Sequence, residues 1–95
     1  MADKLGMHEI VTNVNSKESF LAFVEALAQD RIDEIEKEKI KPSNPSGAGT
    51  NGWQNTTIEN FLESVHSFGQ DSSEIKEEPT WKTFALLLLA GKMYE

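Results

Sequence analysis

Residues 41–55, Lys-Pro-Ser-Asn-Pro-Ser-Gly-Ala-Gly-Thr-Asn-Gly-Trp-Gln-Asn, constrain the chain more than any other segment. Two prolines and three glycines in fifteen residues fit neither a helix nor a central strand. The segment therefore reads as a long loop between two separate elements, and amphipathic patterns lie on either side of it. Before it, Ser16 is a good N-cap and Glu18 stands in the first turn. Phe20, Phe23, Val24, Leu27, Ile32 and Ile35 then fill one half of a helical wheel, so a helix is expected over about 16–39. After the loop, Thr56 with Glu59 three residues on reads as a capping box. Ile58, Phe61, Leu62, Val65 and Phe68 line one face, and Gly69 sits where a C′ glycine belongs, giving a second helix over 57–68.

A polar loop over 70–79 leads to a third helix over 80–94. Trp81, Phe84, Ala85 and Leu88 form one face, while Leu86, Leu87, Met93 and Tyr94 cover the other side. A helix apolar nearly all round is buried on several sides. It is either the central helix of the domain or a face for a second subunit. Residues 1–14 contain strand-prone Ile10, Val11 and Val14 but no pairing strand, and read as an extended arm or a short turn. The expectation is a single all-α domain of three helices with an N-terminal arm.

Ninety-five residues bury only roughly 60–65% of the surface exposed on unfolding, so the core is modest. There is no cysteine, which excludes a disulfide framework, a thiolate metal site and a cysteine nucleophile. The start, Met1–Gly6, lacks the form of a signal peptide, and the longest apolar run is Phe84 to Ala90. A cytoplasmic protein with no membrane span is expected. The net charge of −7, with nine basic residues scattered among sixteen acids, disfavours nucleic acid and anionic membranes as partners. Asp30, Asp33 and Glu34 are expected on the solvated side of the first helix. Arg31 falls at the centre of the apolar stripe. Its stem would lie along the core with the guanidinium reaching out, or it would pair with a carboxylate on a neighbouring helix.

Several chemistries fail on context. Gly47-Ala48-Gly49-Thr50-Asn51-Gly52 matches G-x-G-x-x-G, but the motif holds a pyrophosphate only between a strand and a helix. No cofactor is expected. Glu63 and His66 have the E-x-x-H spacing of di-iron bundles without the partner residues such a site requires, so no metal is expected. Ser64 and Ser67 flank His66 but point away from it. Asn55-Thr56-Thr57 is a glycosylation sequon, better explained as a loop asparagine before a helix cap. Trp53 and Trp81 stand out, each just before or at a helix start. Such a residue pins a loop onto the core through its ring and N–H, or serves as an interface anchor.

Three segments carry a resemblance: Asn15 to Leu27, Trp53 to Glu63 and Pro79 to Glu95, the last being the most specific. Together they resemble a family of short bacterial proteins of unknown function. The resemblance implies a bacterial, cytoplasmic, helical protein and carries over no activity. It also implies a shorter connection before the tryptophan, so that Ser43–Gly52 looks like an insertion, and an apolar residue where Arg31 stands. The functional expectation is a non-catalytic interaction domain, binding another protein or itself through the third helix. Trp53, Asn55, Trp81, Tyr94 and Arg31 are its candidate anchors. The alternatives are an immunity-type protein that neutralises a toxin, its acidity suiting a basic target, and a metal- or ligand-binding domain using the Glu63/His66 face.

Overall fold

The computed structural model describes residues 6–43, 47–76 and 78–94. Four helices follow one another: α1 (Met7–Thr12), α2 (Lys17–Ile40), α3 (Ile58–Asp71) and α4 (Trp81–Met93). No strand occurs among the described residues, so the all-α reading holds.

The largest departure from expectation is the arm. Residues 7–12 are helical, capped by Gly6, whose N–H donates to Glu9 Oε1 at 3.1 Å. Met7, Ile10, Val11 and Val14 are spaced 3, 4 and 7 apart, the helical period, which outweighs their strand propensity. Val11 and Val14 are fully buried and belong to the core with Phe23, Leu27, Trp53, Ala85 and Leu89.

The other boundaries shift by one to three residues. Ser16 caps α2 as expected, its Oγ accepting from Ser19 N. α2 ends at Ile40, ahead of Pro42, because a residue before proline is driven away from helical backbone angles. Thr57, not Thr56, caps α3, accepting from Asn60 N at 3.2 Å. α3 runs past Gly69 to Asp71, since Gly69 keeps a negative φ and so does not stop the helix. Thr80 caps α4 through Thr83 N.

α4 packs against each of the other three helices, whereas α3 packs against α4 alone. That is the central position its apolar surface calls for. α2 sets the shape. Its 24 residues span ~36 Å at 1.5 Å per residue, within a molecule 43 Å long.

The buried face of α2 changes character along its length. Phe20, Phe23, Val24 and Leu27 meet the core. Continued at the same period, that face carries Asp30, Arg31, Glu34 and Glu38 rather than isoleucines. Ile32 and Ile35, expected on the apolar stripe, are 50% and 40% exposed. Glu34, expected in solvent, is 1% exposed. The helical period decides which positions face inward, and the chain places carboxylates there.

Candidate functional site

The carboxylates on the second half of α2 hold the glycine-rich loop. Glu34 Oε1 accepts from the backbone N–H of Asn51 at 2.8 Å and of Trp53 at 3.3 Å. Its Oε2 accepts from Arg31 Nη1 at 2.9 Å. One turn on, Glu38 clamps both ends of the loop. Ser43 donates from N and Oγ at 2.7 and 2.5 Å, and Thr50 from N and Oγ1 at 2.8 and 2.6 Å. The Ser43 hydroxyl, the Thr50 hydroxyl and the two backbone donors hold the Glu38 carboxyl down at about 2, far below its ordinary value. Asn51 Nδ2 donates to Asp30 O and Asp33 Oδ2, and Asn51 Oδ1 accepts from Lys37 Nζ.

Two glycines make this approach feasible. A Cβ at Gly49 would overlap the Glu34 carboxylate. Gly52 has φ +90°, open only to glycine without strain, and its N–H closes a turn onto Gly49 O at 2.8 Å. The G-x-G-x-x-G spelling therefore has a structural use. Within the motif, the Thr50 and Asn51 amides are taken by the chain's own carboxylates and those of Gly49 and Gly52 by backbone carbonyls.

Trp53 carries the loop into the core. Its indole is buried and stacks on Phe61 at 6.3 Å between ring centres. Its Nε1 donates to Asp30 Oδ2 at 2.9 Å, and Lys92 Nζ donates to the same oxygen at 2.6 Å. Arg31 and Lys92 stand 5.9 and 5.6 Å from the centre of the Trp53 ring, within cation–π range. Lys92, in the last turn of α4, is buried against Asp30.

Beyond Trp53 the loop caps α4. Gln54 N and Asn55 N both approach Lys92 O, at 2.9 and 3.3 Å. Asn55 Nδ2 lies within 3.1 Å of Ser64 Oγ, Gly91 O and Tyr94 O, and Ser64 Oγ donates to Tyr94 O at 2.7 Å. These contacts satisfy carbonyls that a helix end otherwise leaves without partners. The Tyr94 hydroxyl donates to Asp71 Oδ2 at 2.9 Å, which pushes the phenol above its ordinary value, helped by desolvation and the Asp71 charge.

Four of the five candidate anchors thus gather in one network: Arg31, Trp53, Asn55 and Tyr94. Arg31 pairs within its own helix rather than with a neighbouring one. Trp81 lies apart. It forms an aromatic group with Phe20 and Phe84, with ring centres 5.5 to 6.3 Å apart. Trp81 is 39% exposed and Phe84 41%. Glu63 and His66 are both exposed on α3, and no group of three or more potential metal ligands clusters among the described residues.

A family model described as a family of unknown function (DUF7660) matches residues 16–95. The chain belongs to that family. No curated protein and no solved structure matches it. The family match begins at Ser16, the N-cap of α2, and so takes in the whole carboxylate-held loop and α4 while leaving α1 outside.

Asp30, Glu34, Glu38, Asn51, Ser64 and Lys92 are among the network residues that sequence reasoning missed. The helical period of α2 carries a signal for Glu34, which falls in register with Phe20, Phe23 and Leu27. Nothing local marks Lys92, whose partner lies 62 residues away. No helix among the described residues is long and apolar enough to cross a membrane.

Proposed function

We propose that the chain is a non-catalytic protein-interaction domain of the bacterial cytoplasm, docking through the Phe20, Trp81 and Phe84 face at the start of α4. The observation that carries this reading is the exposure of that aromatic group. A domain with a small core gains most by burying its large aromatics, and here Trp81 and Phe84 stay about two-fifths exposed. Leu21, next to Phe20 on α2, is half-exposed as well. Tryptophan with flanking aromatics is the composition found at the centres of protein interfaces. The carboxylate network serves a different end, since its donors and acceptors are spent on one another.

The reading is tested by placing a photo-crosslinking residue at position 81, with position 39 on the far half of α2 as control. The expected result is crosslinking in cells at 81, to another copy or to a second protein, well above that at 39. Equal crosslinking at both positions, with a monomer by sedimentation at high concentration, contradicts it.

A further inference from the structure

A groove of about 790 Å³ runs along a different stripe of α4, between α1, α3 and the 73–76 turn. It lies in the size range of small-molecule sites, ~300–1,000 Å³. Its floor is apolar: Val11 from α1, Phe68 from α3, and Leu86 and Leu89 from α4. From Lys82 to Met93 the lining follows α4 for ~16 Å by the helix rise, the reach of an alkyl chain of about ten to twelve carbons. The rim inverts the sign of the molecule. The chain carries −7 overall, yet the lining holds Lys76, Lys82 and His8 against Glu74 alone among described carboxylates. Lys76 and Lys82 are exposed, and neither pairs with a described carboxylate. Asp71, close by in sequence, is engaged by the Tyr94 hydroxyl.

An apolar trough with ammonium groups at its edge that pair with no described carboxylate suits one ligand chemistry, an alkyl chain with an anionic head. We infer that this groove binds a free single-chain amphiphilic anion of the fatty-acid class, its tail along Leu86 and Leu89 and its head at Lys76 and Lys82. The site is separate from the aromatic face around Trp81, and the inference stands independently of the proposed docking function. Its α1 wall lies outside the family match.

The test is an amide-resolved NMR titration of the full chain with sodium decanoate below its micelle concentration. Saturable shifts at Val11, Leu86, Leu89 and Ala90 with one-to-one stoichiometry are expected. Decyltrimethylammonium, with the same tail and a cationic head, should bind at least tenfold more weakly. A K76E/K82E variant should keep its helical circular dichroism and lose at least tenfold in decanoate affinity. Both lysines are exposed, so folding is not at stake. Non-saturating shifts, shifts centred on Trp81 and Phe84, or equal binding of the cationic amphiphile would overturn the inference. So would shifts at the groove seen only with phosphatidylglycerol vesicles, which would make a bilayer rather than a free amphiphile the source.

Discussion

The two halves of α2 bury the same face by opposite means. The first half, through Phe23 and Leu27, packs on other helices in an apolar core. The second half, through Glu34 and Glu38, packs on a loop whose backbone N–H groups need acceptors. Apolar burial is non-directional and tolerates small shifts. Hydrogen bonding of a buried carboxylate is directional, and it is costly when one partner is removed. A helix projecting beyond its core can thus be covered by irregular chain, provided its inward side chains match the backbone they meet.

The sharpest break between the halves is Phe23→Ala. Phe23 is completely buried, and such truncations cost about 3–5 kcal/mol. That is a large share of the stability of a domain this size, so urea unfolding should show a global loss. Next is Glu34→Gln, which removes the charge facing Arg31 and weakens acceptance from Asn51 and Trp53. A loss of about 2–3 kcal/mol is expected by urea unfolding. A change under 0.5 kcal/mol would mean the second half is not held as described. Gly49→Ala should cost about 1–3 kcal/mol, because the added methyl overlaps the Glu34 carboxylate and pushes it off the Asn51 and Trp53 amides. If it is neutral, the loop does not approach α2 as closely as described.

Glu38 makes the second half sensitive to acid. Its carboxyl titrates at about 2 when folded against an ordinary 4.5. Between those values the unfolded chain binds more protons, so stability rises with pH across the window. The contribution is complete above about pH 4.5 and is lost as pH falls through 2. Thr50 and Ser43 amide resonances should follow that loss, whereas those around Phe23 should not. The smallest effect is Lys39→Ala. Its pair with Glu36 is exposed on both sides, and a change within about 0.5 kcal/mol is expected.

Helices with strong periods were legible in the sequence. α3 and α4 needed only their apolar stripes, and α4's central place followed from its being apolar nearly all round. α1 was hidden because strand propensity in Ile10, Val11 and Val14 masked a 3-4-7 spacing. The carboxylate network was hidden by residue type. Glu34 sits in register with Phe23 and Leu27, but a glutamate is read as solvated unless its partners are known. Those partners are backbone N–H groups of a loop seventeen and nineteen residues on, and no pattern in one sequence announces such pairs. Trp53 and Asn55 were visible as unusual residues, though not what they would touch.

Glu34 holds the loop, and amide hydrogen exchange reads that hold directly. Asn51 and Trp53 amides should exchange slowly in the native chain. They should exchange at least tenfold faster in Glu34→Gln, with the amides of Phe23 and Leu27 changing far less. Fast exchange of Asn51 and Trp53 in the native chain, or rates unmoved by the substitution, would contradict it.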